Sequence, residues 1–151
     1  MSALESKPVI GHKETVLIVD GAHANLLILQ NFMGHYSCNT LLASDCCKAL
    51  QLFSQNNVSL ILMDVMMPGM EGFDMVHNIR RIERELEKPQ TPLIAVSGHI
   101  QPSEQHLCIQ AGVNDYISKP IKAQDLIDMI KVWCPEMRFR APNQAFTRAV
   151  A

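Results

Sequence analysis

Apolar residues are distributed along this chain in two alternating patterns. Short, largely apolar runs occupy Thr15–Val19, Ser59–Met63 and Pro92–Ser97, and two more mixed strand-like stretches lie at Cys38–Ala43 and Asp115–Ser118. Continuous apolar runs of this length predict strands, those at Val16–Val19 and Leu60–Met63 buried on both faces. Between them apolar positions recur at spacings of three and four. Asn25–His35 is a leucine-rich helical stretch that Gly34 weakens at its end. Ser44 or Asp45 can cap the next helix, whose apolar face is Cys46, Ala49, Leu50 and Phe53 and which closes at Gln55–Asn57. After Gly72 a third helix turns Met75, Val76, Ile79 and Ile82 inward. Arg80, Arg81, Glu83, Arg84, Glu85 and Glu87 are expected on its solvated face. A weak helix over Ser103–Ala111 ends at Gly112 as a C-terminal cap, and Ala123–Trp133 forms the last, with Leu126, Ile127, Ile130 and Trp133 inward.

Strand and helix thus alternate five times, which predicts a parallel sheet with helices on both faces. The expected organisation is a polar tail over residues 1–14, one domain over 15–134, and a basic tail over 135–151 that begins at the helix-stopping Pro135.

Four of the strands end in chemistry: Asp20, Asp64, Ser97 and Lys119. A buried strand has no packing reason to finish on a carboxylate. In an open parallel sheet all carboxyl ends lie on one edge, so these four groups are expected in one crevice. Two carboxylates at one point repel unless a cation stands between them, and Mg²⁺ takes such oxygen ligands together with water and phosphate. A lysine supplies a point charge for a phosphoryl oxygen, a hydroxyl a hydrogen bond, and a carboxylate can itself be the nucleophile. Such a set is suited to accepting a phosphoryl group, a transfer that needs positioning and charge neutralisation above all.

The 151 residues are enough for a real core, and 48% of them are hydrophobic. A net charge of -2 leaves no broad footprint for nucleic acid or an anionic membrane. No apolar run approaches the roughly 20 residues of a membrane span, and Met1–Glu14 lacks the apolar core of a signal peptide. Cys38, Cys46, Cys47, Cys108 and Cys134 form no metal-ligand spacing; free thiols in a reducing cytoplasm are expected.

In Val19-Asp20 with Asn25, Leu62 to Phe73 around Asp64 and Pro68-Gly69, Pro92 to Gly98, and Ala111-Gly112-Val113-Asn114-Asp115-Tyr116-Ile117-Ser118-Lys119-Pro120, the chain resembles the receiver domain of two-component response regulators, particularly the hybrid histidine kinase type. The resemblance covers about Thr15–Trp133. It implies a flavodoxin-like, doubly wound five-stranded parallel sheet of order 2-1-3-4-5 with five helices. It also implies a cytoplasmic phosphorelay role rather than an enzyme's, with at most slow autodephosphorylation. Asp64 would be the phosphoacceptor, served by a histidine kinase or a histidine phosphotransfer protein. Asp20, Asp64 and the backbone carbonyl of Met66 would hold Mg²⁺. Lys119 would pair with Asp64 and then with the phosphoryl group. Ser97 would bond a phosphoryl oxygen, and Tyr116 would swing inward behind it. The Lys119–Pro120 peptide would be cis. Pairing of two copies through the last helix would follow the family's habit.

One departure matters. The family usually carries two adjacent acids after the first strand, and here Asp20 is followed by Gly21. Gly21 matches the acid that touches the metal directly, so Mg²⁺ is expected to be weakly held. His23 is expected to be a loop or cap histidine rather than a substitute ligand, since imidazole suits Mg²⁺ poorly. His99 is expected exposed, and Met63, Met66, Met67 and Met70 are expected to fill core and loop. The alternative function is a degenerate receiver that binds a protein partner without phosphorylation. An aspartyl-phosphate phosphatase is disfavoured because Met66 stands where its second acid belongs. A flavin role is disfavoured because no phosphate-cradling loop follows the first strand.

Overall fold

The computed structural model describes residues 13–65, 67, 73–98 and 101–140. Ten elements alternate along it: β1 (Glu14–Val19), α1 (His23–Met33), β2 (Cys38–Ala43), α2 (Cys46–Gln55), β3 (Leu60–Asp64), α3 (Asp74–Glu85), β4 (Leu93–Ser97), α4 (Pro102–Ala111), β5 (Asp115–Ser118) and α5 (Ala123–Trp133). The strands form one parallel sheet in the order β2-β1-β3-β4-β5. This is the doubly wound, flavodoxin-like architecture that the alternation and the resemblance implied.

The unbroken apolar runs follow from burial on both faces of the sheet. Leu17, Val19, Ile61, Met63, Leu93 and Ala95 pack with Ala49 and Phe53 of α2 and Met75, Val76 and Ile79 of α3. The alternate positions Val16, Ile18, Leu60, Leu62, Ile94 and Val96 pack with Leu26, Leu29 and Met33 of α1 and Leu126 and Ile130 of α5. Side chains alternate along a strand, so consecutive apolar residues supply both layers.

Helix ends have local causes. Asp45 caps α2, its Oδ1 accepting the Lys48 N–H at 2.8 Å. Gly112 ends α4 at φ 112°, in the left-handed region, and the Val113 N–H closes back on the Cys108 carbonyl at 3.0 Å. The first helix starts at His23 and stops at Met33, two residues ahead of the expected bounds at each end.

Two expectations are corrected by packing. The solvated face assigned to α3 is only partly solvated, because Arg80 and Glu83 are buried. Arg80 Nη1 donates to both Glu83 oxygens at 3.0 Å and to the Thr91 carbonyl at 2.8 Å. Arg80 Nη2 donates to the Gly112 carbonyl and to Asn114 Oδ1, each at 2.8 Å. Glu83 Oε2 also accepts the Thr91 N–H. The pair is sustained in the interior because each remaining donor and acceptor finds a partner.

The second correction concerns the tail expected from residue 135. Through Arg140 that segment belongs to the folded body. Met137 is buried, Phe139 stacks on Tyr36 with ring centroids 4.6 Å apart, and the Arg140 N–H donates to the His35 carbonyl at 2.7 Å. At the other end β1 begins at Glu14, one residue before the expected boundary.

Candidate functional site

The register of the sheet sets the first relationship. Val19 of β1 pairs with Met63 of β3, so the next residues, Asp20 and Asp64, leave adjacent strand ends together. Asp64 pairs in turn with Val96 of β4, and Ser97 pairs with Ser118 of β5. The Lys119 N–H donates to the Ser97 carbonyl at 2.7 Å, which carries Lys119 to the same rim. The Lys119–Pro120 peptide is cis.

Lys119 Nζ lies 2.9 Å from Asp20 Oδ2 and 3.4 Å from Asp64 Oδ2. The Asp20 side chain is 2% exposed, that of Asp64 15% and that of Lys119 23%, so the ammonium stands between two largely dehydrated carboxylates. Burial pulls the Lys119 pKa down. Hydrogen bonds and charges of Asp20 and Asp64 outweigh it, and the net effect holds the lysine above its ordinary value. Asp20 is fixed from its other side as well: its Oδ1 accepts the Ala22 N–H at 2.9 Å and Asn25 Nδ2 at 3.3 Å. Asp20 thereby braces the turn that leads into α1, whose N-cap residue Ala22 offers no side-chain cap.

Ser97 is fully buried at the end of β4. Tyr116 is half-buried in β5 and packs on the α2–α3 side of the core. Lys119 is thus in direct contact with both Asp20 and Asp64, and Ser97 is linked to Lys119 through the backbone. Met66, Met70 and His99 lie outside the described residues. Met63 and Met67 are core residues, and His23 is exposed as the first residue of α1. All five cysteines are free thiols.

The holding role of Asn25 escaped sequence reasoning, although its place five residues after Asp20, in the first turn of α1, was the available signal. An apolar groove beside the site was missed too. It measures about 430 Å³ and is lined by Asn25, Ile28, Leu29, Lys119, Pro120 and Ile121. Its residues come from α1 and the turn after β5, which only the crossover connections bring together.

The side chains fit Mg²⁺ in kind. Asp20 and Asp64 offer hard oxygen donors at one rim, and water can complete an octahedron. In number the set is sparse, since Gly21 contributes no side chain. Among the described residues no third carboxylate, imidazole or thiol joins the two in a close three-ligand set.

The rim therefore offers two carboxylates bridged by one ammonium, with a serine at the end of the neighbouring strand. Comparison with known proteins bears on it directly. The sequence pattern of the response regulator receiver domain matches residues 16–131. Sensor histidine kinase GacS of Pseudomonas protegens is 31% identical over 134 residues, which is 88% of this chain and 15% of that protein. Hybrid signal transduction histidine kinase C of Dictyostelium discoideum is 35% identical over 123 residues, 78% of this chain and 10% of that protein. This chain therefore spans a small part of the length of these curated relatives. Among solved structures, the receiver domain of sensor histidine kinase PA1611 from Pseudomonas aeruginosa, with a magnesium ion in its active-site cleft, shares the fold. Its TM-score is 0.70 at 24% identity, covering 81% of this chain and 98% of that one.

Proposed function

The chain belongs to the response regulator receiver domain family, and from that premise we propose that it accepts a phosphoryl group on Asp64 from a phosphohistidine and changes protein partners in consequence. The observation that carries the reading is the single ammonium of Lys119 held against two carboxylates at the carboxyl rim of a parallel sheet.

In the transfer, an Asp64 oxygen bonds to phosphorus as the phosphorus–nitrogen bond of the donor breaks and the electron pair returns to the imidazole. Lys119 shifts its charge from the Asp20–Asp64 pair toward the new phosphoryl oxygens. Ser97 turns its hydroxyl to one of those oxygens, and Tyr116, one residue into β5, follows inward. The new contacts favour one of two surface conformations, which is a population shift. Asp20 and Asp64 are the residues that would hold Mg²⁺, which when bound offsets negative charge on carboxylate and phosphoryl oxygens alike. The product is an acyl phosphate that is lost slowly, so the domain acts as an acceptor rather than as a turnover enzyme.

The groove between α1 and the β5–α5 turn supports a helical histidine-bearing partner, because exposed Ile28 forms part of its apolar wall beside Lys119. The receiver domain of Ssk1 from Saccharomyces cerevisiae, which matches this fold with a TM-score of 0.73 at 24% identity, 80% of this chain and 88% of that one, was co-crystallised with the histidine phosphotransfer protein Ypd1.

A second reading has its own observation. Gly21 leaves the rim one carboxylate short, and Lys119 already neutralises Asp20. A site balanced from within can serve as a fixed docking surface without phosphorylation. Incubation with acetyl phosphate and Mg²⁺, followed by intact mass measurement, separates the two. Gain of one phosphoryl mass that Asp64→Asn abolishes supports the acceptor reading. No gain, beside a competent receiver treated identically, leaves the docking reading.

A further inference from the structure

The two halves of the Asn25 amide have different surroundings. Its Nδ2 donates to Asp20 Oδ1 at 3.3 Å, whereas its Oδ1 meets no donor among the described residues. A carboxylate only accepts, so the amide nitrogen must face Asp20 and the amide oxygen must face away from it. Asn25 is the third residue of α1 and half-buried, and its backbone N–H closes on the Ala22 carbonyl at 3.0 Å. Ala22 in turn donates its N–H to Asp20 Oδ1 at 2.9 Å. Backbone and side chain thus tie Asn25 to the Asp20 carboxylate, and its place is set before any ligand arrives.

Asn25 also lines the groove of about 430 Å³ beside Lys119. The other described residues of that lining, Ile28, Leu29, Pro120 and Ile121, are apolar. The Lys119 ammonium carries three donors and no acceptor. The Asn25 oxygen is therefore the one side-chain acceptor among the described residues of the lining, and it is left for an occupant of the groove. Apolar walls with one ammonium and one neutral acceptor suit a flat ring that carries an anionic group at one nitrogen and an N–H at another. A phosphorylated imidazole protonated on its second nitrogen is such a ring. Acetyl phosphate is not, because its acyl end offers only oxygens, which Asn25 Oδ1 cannot engage.

We propose that Asn25 recognises the phosphoryl donor: its Oδ1 accepts the N–H of the phosphohistidine ring while Lys119 engages the phosphoryl group. This rests on the reading of Asp64 as the acceptor and adds what selects the donor. Asn25 and Asp64 are joined through Asp20 and Lys119 by contacts of 3.3, 2.9 and 3.4 Å, a span on the scale of a phosphorylated imidazole. In the step itself an Asp64 oxygen bonds to phosphorus, the phosphorus–nitrogen bond breaks, and its electron pair returns to the ring. The proton on the second nitrogen stays there, held by Asn25, so the ring departs as neutral imidazole rather than as its anion. No oxidation state changes and no further proton is needed. Acetyl phosphate releases acetate and gains nothing from Asn25 Oδ1.

The test compares two small donors, phosphoimidazole and acetyl phosphate, on the whole chain with Mg²⁺, the phosphoryl gain being followed by intact mass. The quantity read is the ratio of the two initial rates. Asn25→Ala should lower the rate from phosphoimidazole relative to acetyl phosphate roughly tenfold, the size expected for loss of one hydrogen bond to a charged group. Looser seating of Asp20 slows both donors alike and leaves the ratio untouched. Asn25→Asp removes the donor to Asp20 but keeps an acceptor toward the groove, so both rates should fall with the ratio retained or raised. An unchanged ratio in Asn25→Ala, with Asp64 still phosphorylated, overturns the role of Asn25 and leaves the acceptor reading standing. A ratio that falls equally in both variants traces the effect to Asp20 and overturns it too. Wild-type uptake from acetyl phosphate but not from phosphoimidazole does the same. No uptake from either donor removes the acceptor reading, and the role of Asn25 with it. Should Asn25→Ala not fold, Asn25→Leu carries the same comparison.

Discussion

Lys119 is closer to Asp20 than to Asp64: 2.9 Å separates its Nζ from Asp20 Oδ2, and 3.4 Å from Asp64 Oδ2. The ammonium thus lies off-centre, toward the more deeply buried carboxylate. Asp20 is itself held by the Ala22 N–H and by Asn25. The lysine can therefore leave Asp64 without losing its anchor, which suits a group that must make way for an incoming phosphorus.

Lys119 links this geometry to pH. Its folded pKa is raised above 10.5, so its contribution to stability is fully present below 10.5 and is lost as pH rises through the higher folded value. The wild-type Tm should fall through that alkaline window more steeply than that of Lys119→Met, in which the titrating group is gone. Parallel Tm curves for the two proteins would contradict the pairing.

Gly21→Asp should restore a metal ligand. Gly21 is exposed and is not among the residues with positive φ, so an aspartate can be seated there without backbone strain. Mg²⁺ affinity is expected to rise on the order of tenfold, about 1.4 kcal/mol, with a parallel gain in phosphoryl uptake from acetyl phosphate. Equilibrium Mg²⁺ titration checks the first, intact mass the second.

Arg80→Met leaves Glu83 buried without its cation, a change expected to cost about 3–5 kcal/mol in urea unfolding. Replacing both residues together, as Arg80→Met with Glu83→Leu, should cost clearly less, because no isolated charge remains. Equal losses for single and double variants would show that the pair is not the source.

Gly112→Ala tests the turn that Arg80 grips. A methyl there would meet Arg80 Cγ at 3.4 Å, an ordinary contact, so the penalty comes from φ 112° and should be about 1–2 kcal/mol. The same unfolding assay measures it.

Truncation after Cys134 should destabilise the domain. Burial of Met137 alone is worth about 1.5–3 kcal/mol, and the Phe139–Tyr36 stack is lost with it. A truncated chain as stable as the full one would return residues 135–140 to the status of a tail.

The parts of the fold that were legible in the chain are those in which periodicity and burial agree. The run Leu60–Met63 in β3 is apolar at every position because both faces are covered, and that pattern survives in one dimension. Arg80 and Glu83 were misread for the opposite reason: three residues apart on a charged helix, they look like solvated surface. Their partners Thr91, Gly112 and Asn114 come from the loop before β4 and the turn before β5. Residues 135–140 were likewise misjudged, since their polar composition hides Met137 and the contacts with Tyr36 and Gly34.

By itself the sequence determined the alternation of strands and helices, the two-layered core, and which four strand ends carry reactive groups. These are local properties: side-chain period, turn residues, and the type of residue at a strand end. Only the tertiary structure decided that Lys119 rests chiefly on Asp20, that an Arg–Glu pair is interior, and that Asn25 and Lys119 line one groove. Such contacts join residues up to 99 positions apart, as Asp20 and Lys119 are, and their distances depend on strand register and on how helices settle on the sheet. Neither is written in the neighbourhood of any one residue.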